Sequence, residues 1–123
     1  MRLPLGGHYE NISVEPLIKI YRKNYKKTSG DVIYKAFEVA AKAHEKQVRR
    51  SGEPYITHPL AVSMIVAKLG LDEITIAAAL LHDCVEDTDV TLADIKKEFG
   101  KEIAEIVDGV TKLDRLAFST KEQ

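Results

Sequence analysis

Three groups of residues carry chemistry that neither a plain core nor a plain surface asks for: His58, the adjacent pair His82-Asp83, and the pair Glu86-Asp87. His82 and Asp83 fall within the otherwise apolar stretch Ile74 to Val85. Polar groups there are costly to bury unless they are paired, hydrogen-bonded or bound to a cation. A neighbouring His and Asp offer one nitrogen and one oxygen ligand from a single helical turn. His58, at the start of another helix, supplies a second nitrogen if the two helices cross. Such a mixed set suits Mn²⁺, Fe²⁺, Zn²⁺ or Co²⁺ better than Ca²⁺. Glu86 lies one turn after His82 and Asp87 one turn after Asp83, so both project near the ion without having to bind it. A carboxylate so placed can position or deprotonate an attacking water.

Plainer readings compete. A bare His-Asp pair is common in ordinary cores and surfaces. The run Asp83 to Asp89 superficially suggests a calcium loop, but it lacks the glycine and the terminal glutamate of that motif. The combination of dyad, following carboxylates and a separate helix-initial histidine favours the transition-metal reading. A second cluster, Arg49-Arg50-Ser51-Gly52, could grip phosphates bidentately and stack a guanidinium on a base. Its spacing alone fits a solvated helix C-terminus better, where the helix dipole favours cations anyway. Arg22, Lys23, Lys26 and Lys27 read as a solvated face. His44 reads as a hydrogen-bonded core histidine, Cys84 as a small core filler, and His8 carries no signal.

The elements that must hold these groups are helices. Residues 1 to about 10, with Pro4, Gly6 and Gly7, form a loose lead-in, and a ragged helical pattern covers Ser13 to Lys27. After the break at Thr28-Ser29-Gly30, Ile33, Ala36, Phe37, Ala40 and Ala43 make one apolar stripe on a helix expected to run to Arg50. Gly52 and Pro54 break it. Thr57 is expected to cap a third helix, with Leu60, Met64, Ile65 and Leu69 inward and Gly70 closing it. Asp72 caps a fourth, with Ile74, Ala77, Ala78, Leu81 and Val85 on its core side. Three successive alanines, Ala77 to Ala79, allow a neighbour to approach closely. Thr91 and Asp94 resemble a capping box for a short fifth helix ending at Gly100. A last one spans Lys101 to Leu113, with Ile103, Ile106, Val107 and Val110 inward. No period-two pattern competes, so the expected fold class is all-α, an orthogonal helical bundle.

Composition fits one such domain. The 123 residues are 45% hydrophobic and 30% charged, with a formal net charge of -1. That balance excludes nucleic-acid binding by bulk charge but leaves room for a small anionic ligand. One cysteine cannot form an internal disulfide, which fits a reduced cytoplasmic compartment. No stretch is apolar enough to span a membrane, and the N-terminal residues lack the order of a signal peptide.

Longer strings carry a resemblance. Ala43-His44, Gln47 and Arg49-Arg50-Ser51-Gly52-Glu53-Pro54-Tyr55-Ile56-Thr57-His58-Pro59-Leu60 are similar to the opening of the Rel/Spo alarmone hydrolases. So are Ala78-Ala79-Leu80-Leu81-His82-Asp83-Cys84-Val85-Glu86-Asp87-Thr88, Phe99-Gly100 and Val107-Asp108-Gly109-Val110-Thr111-Lys112-Leu113. The resemblance runs from about Ser13 to the end, and strings of this length are specific.

It implies an HD-type phosphohydrolase fold. It also implies Mn²⁺-dependent removal of pyrophosphate from the 3′ position of guanosine tetraphosphate or pentaphosphate, giving GDP or GTP. Carried over, His58, His82 and Asp83 are the metal ligands, Glu86 and Asp87 activate water, and Arg49, Arg50 and Ser51 hold the nucleotide. Many members are long and carry a synthetase domain downstream, and the lead helix before Asp31 resembles those.

The family completes its metal site with an aspartate on a later helix, near an asparagine that touches the nucleotide. Gln123 is reached before any such segment, and Asp108 and Asp114 precede it. Residues 1–123 are therefore expected to form one hydrolase domain incomplete at its C-terminal end, with 1–30 as lead-in and accessory helix. Such a chain is expected to be a weak hydrolase by itself. An uncovered apolar groove would be open to a partner, a second copy included. Two alternatives remain: an HD phosphohydrolase acting on another nucleotide, and a non-catalytic helical regulatory fragment.

Overall fold

The computed structural model describes residues 12–122, with side chains as far as Leu113 and that of Leu116; the lead-in that contains His8 lies outside the described residues. Six helices follow in order: α1 (Glu15–Asn24), α2 (Asp31–Ala43), α3 (Thr57–Lys68), α4 (Glu73–Asp87), α5 (Leu92–Phe99) and α6 (Lys101–Glu122). No strand is present among the described residues; the nearest to one is a single bridge between Val48 and Pro54. The architecture is the expected all-α bundle. No described helix is long and apolar enough to cross a membrane.

α4 is the hub and packs against α2, α3 and α6. It is therefore apolar on most of its circumference, with Ile76, Ala77, Ala78, Leu80, Leu81 and Cys84 all at or below 1% exposure. The expected core side was narrower, and Ile74 and Val85 are only partly buried. Asp72 caps α4 as expected, its carboxylate accepting from the Thr75 amide at 3.0 Å. The Thr91/Asp94 capping box also forms, with both reciprocal bonds present. α6 runs further than its apolar pattern, to Glu122. Ile103 and Val107 of α6 are buried, while Ile106 and Val110 are only partly so and face a cleft.

Three expectations about the site's neighbourhood were wrong. α2 stops at Ala43 instead of continuing to Arg50. Residues 47–55 fold back instead, with the Tyr55 amide donating to the Gln47 carbonyl at 3.0 Å and the Arg49 amide to that of Glu53 at 2.8 Å. Gly52 makes the turn at φ +92°, a conformation L side chains rarely adopt, although a Cβ there would meet nothing. The apolar stripe already ends at Ala43, and tertiary contacts of His44 take over from helix propensity beyond it. Arg49 and Arg50 thus sit on a hairpin loop and not at a helix C-terminus.

The second error is the face of α3. Ile65 and Leu69 are 60% and 71% exposed, and the buried residues are Pro59, Ser63 and Ala67. Leu60 and Met64 pack partly against the core. α3 is apolar around most of its girth, so its pattern does not single out a face. Small residues then decide, because Ser63 and Ala67 are what let it lie close to α4 and α1. The Ser63 hydroxyl is satisfied by donating to the Pro59 carbonyl at 2.8 Å. Thr57 does not cap α3 either; its hydroxyl donates to the Pro54 carbonyl at 2.8 Å and so ties the helix start to the hairpin.

Candidate metal centre

The crossing of α3 and α4 brings His58 to His82 and Asp83. One ligand atom from each of the three lies within 4.8 Å of the others. His58 Nε2 is 3.6 Å from Asp83 Oδ2, and His82 Nε2 is 3.1 Å from Asp83 Oδ1. His82 and Asp83 are buried at 8% and 7% exposure, and His58 is half-buried.

The hydrogen bonds fix the donors' states. His82 Nδ1 lies 2.7 Å from the Ala79 carbonyl, which can only accept, so the ring donates there. In the neutral ring the lone pair is then on Nε2 and points at the Asp83 carboxylate. Two acceptors facing one another at 3.1 Å repel unless a proton or a cation lies between them. The set of two imidazole nitrogens and a carboxylate therefore fits a divalent transition ion, with His82 oriented from behind in the manner usual for ligating histidines. With a proton between the two in place of a cation, burial still pushes the Asp83 carboxyl up, but the hydrogen bond and charge of His82, then His58 and the Tyr55 hydroxyl, outweigh it and hold the group below its ordinary value.

Tyr55 was not singled out by residue chemistry in the sequence. Its hydroxyl donates to Asp83 Oδ2 at 3.3 Å and to Asp87 Oδ2 at 3.2 Å. Burial first, then the charges of these two carboxylates, push the phenol well above its ordinary value, so it stays a donor. A tyrosine facing two acids is recognisable only once the hairpin has folded back on α4. Its ring stacks on buried His44 at 4.6 Å between centroids. His44 is the expected core histidine, hydrogen-bonded to Gln47, and Cys84 is the expected buried filler.

His58, His82 and Asp83 open into a cleft of about 680 Å³ whose walls also hold Glu86, Asp87 and the apolar Val62, Val66, Ile106 and Val110. A second cleft of about 650 Å³ is lined by Arg49, Arg50 and Ser51. Tyr55 and His58 line both. All the residues expected to do chemistry are thus gathered on one side of the molecule. Asp108 is not in the three-donor cluster; it pairs with Lys112 at 3.0 Å. The side chain of Asp114 lies outside those described.

Residues 36–123 match the family described as HD domain, a match that includes every one of these site residues. The chain belongs to the HD domain family.

Over 107 residues, 87% of the chain, this HD domain is 52% identical to the probable GTP pyrophosphokinase of Mycobacterium leprae. It is 58% identical over 85 residues to the guanosine-3′,5′-bis(diphosphate) 3′-pyrophosphohydrolase of Haemophilus influenzae. Over 88 residues it is 56% identical to the bifunctional (p)ppGpp synthase/hydrolase SpoT of Escherichia coli. The Rel/Spo resemblance carried by the sequence strings therefore holds. The chain spans 14%, 13% and 12% of these relatives' lengths, respectively.

Proposed function

We propose that this HD domain hydrolyses guanosine 3′-diphosphate alarmones, releasing pyrophosphate and leaving GDP or GTP, as the N-terminal part of a bifunctional synthetase/hydrolase. The observation that carries this reading is the convergence of His58, His82 and Asp83 in a cleft that also holds Glu86 and Asp87 and adjoins the arginine loop. The names of the relatives supply the substrate class.

His58, His82 and Asp83 would hold the ion, with Mn²⁺ as the proposed metal. When bound, it supplies a Lewis acid for the phosphate oxygens and lowers the pKa of water. Arg49 and Arg50 carry guanidiniums suited to bidentate phosphate contact, on a loop whose shape the Arg49–Glu53 and Gln47–Tyr55 backbone bonds fix. Ser51 holds the turn from within, its hydroxyl 3.1 Å from Glu53 Oε1. Glu86 is proposed to take a proton from the attacking water at a carboxylate oxygen. Asp87, held toward the centre by Tyr55, orients that water. Water adds to the phosphorus at the 3′ position, the bond to the 3′ oxygen breaks, and that oxygen recovers a proton. The buried Cys84 thiol is consistent with a reducing cytoplasm.

The test measures Mn²⁺ affinity and pyrophosphate release from guanosine tetraphosphate. Mn²⁺-dependent release of pyrophosphate supports the reading. Turnover without a divalent ion would refute the metal, and hydrolysis of other nucleotides in preference to the alarmone would refute the substrate.

A further inference from the structure

Gln47 has no part in the chemistry above, yet it bonds to three parts of the site's scaffolding. Its side-chain nitrogen donates to the Asp87 carbonyl at 2.6 Å. Its side-chain oxygen lies 2.9 Å from His44 Nδ1. Its own carbonyl accepts from the Tyr55 amide at 3.0 Å.

Each polarity is dictated by its partner. Asp87 is the last residue of α4, and its carbonyl is one of those a helix end leaves without an intrahelical donor. A carbonyl only accepts, so the Gln47 amide nitrogen must face it and the amide oxygen must face His44. His44 then donates from Nδ1 and is bare at Nε2. That nitrogen lies 3.7 Å from the Cys84 sulfur, whose S–H can donate to it. The series Cys84, His44, Gln47, Asp87 therefore has one consistent direction of donation.

We propose that Gln47 is a positioning residue that latches the arginine hairpin to the end of α4 and so sets where the Asp87 carboxylate stands. One residue fixes both partners of the Tyr55–Asp87 contact, the tyrosine through its amide and the aspartate through its carbonyl. The three metal donors stand on α3 and earlier in α4, and Asp83 meets the latch at second hand, through the Tyr55 hydroxyl at 3.3 Å.

The kinetic part of the inference rests on the hydrolase reading, and the spectroscopic part does not. Gln47→Glu keeps an acceptor for His44 but cannot donate to the Asp87 carbonyl, whereas Gln47→Met loses both bonds. In the intact, Mn²⁺-loaded protein, Gln47→Glu should lower kcat about 10- to 100-fold, the scale of a displacement of about 1 Å, with Mn²⁺ affinity and KM each within about threefold. By ¹⁵N NMR, His44 should be protonated at Nδ1 in the wild type and in Gln47→Glu, and should lose that preference in Gln47→Met. Wild-type turnover in Gln47→Glu overturns the proposal, as does metal affinity that falls in step with kcat. A His44 protonated at Nε2 in the wild type overturns it without any variant having to fold. Absence of alarmone hydrolysis by the wild type sinks the hydrolase reading instead, and the tautomer still decides whether the latch exists.

Discussion

The Tyr55 hydroxyl stands 3.2 Å from Asp87 Oδ2 and donates to it, tying a residue of the hairpin to the carboxylate at the end of α4. The same hydroxyl reaches Asp83, so one phenol links a proposed metal donor to a proposed water-orienting group. Removing it without disturbing the ring should therefore affect chemistry more than folding. Tyr55→Phe keeps the stack on His44 and should lower kcat about tenfold or more, since hydrogen bonds to charged groups are worth about 1.5–3 kcal/mol. Steady-state rates and thermal melts on the same preparations check this, and an unchanged kcat would contradict it.

The proposed division between ion-holding and water-handling residues predicts different losses. His82→Ala and Asp83→Ala should abolish turnover by losing the metal. Glu86→Gln should keep the metal and lose most turnover, because it removes a base and leaves the donor set whole. Metal content by elemental analysis separates the two cases. Equal metal loss in Glu86→Gln and His82→Ala would make Glu86 a ligand.

In the metal-free chain, Asp83 should make the fold acid-sensitive. Its carboxyl is held below the ordinary 3.8, so the stabilisation it brings is fully present above that value and is lost as the pH falls through the lowered one. Asp83→Asn has no such group to protonate. Urea midpoints taken from pH 5 to pH 2 should fall more steeply for the wild type than for Asp83→Asn. Parallel curves would mean that the folded environment does not favour the carboxylate.

Cys84 behaves in the opposite sense. Burial, then the Asp83 and Asp87 charges, push its thiol from 9.0 up to about 12. The neutral thiol's contribution is intact below pH 9 and is lost as the pH rises toward about 12. At pH 8 the folded chain should react with iodoacetamide far more slowly than the urea-unfolded chain, because reaction needs the exposed thiolate. Comparable rates would place Cys84 at the surface.

What the sequence could and could not reveal follows from how each signal arises. His82 and Asp83 were legible because polar side chains in an apolar stretch need a partner, and His58, read as a helix-initial histidine, is brought to them by the crossing of α3 and α4. The caps at Asp72 and Thr91 were legible because they are local. The inward face of α3 was not, because a helix apolar nearly all round has no preferred side until neighbours exist, and Ser63 and Ala67 win on size. The end of α2 was missed for a related reason. Nothing between His44 and Arg50 breaks a helix, and only the buried His44, stacked on a tyrosine eleven positions along the chain, draws the backbone away.

Tyr55 and His58 form a wall common to the two clefts. A ligand in either cleft would press on the same two side chains, so the two proposed sites are expected to be coupled. Whatever factor an ion adds to nucleotide affinity, the nucleotide must return to the ion's affinity, by linkage alone. Titrating each ligand with the other present and absent closes a four-state cycle. Affinities that do not change in either direction would mean that this shared wall does not couple the two clefts.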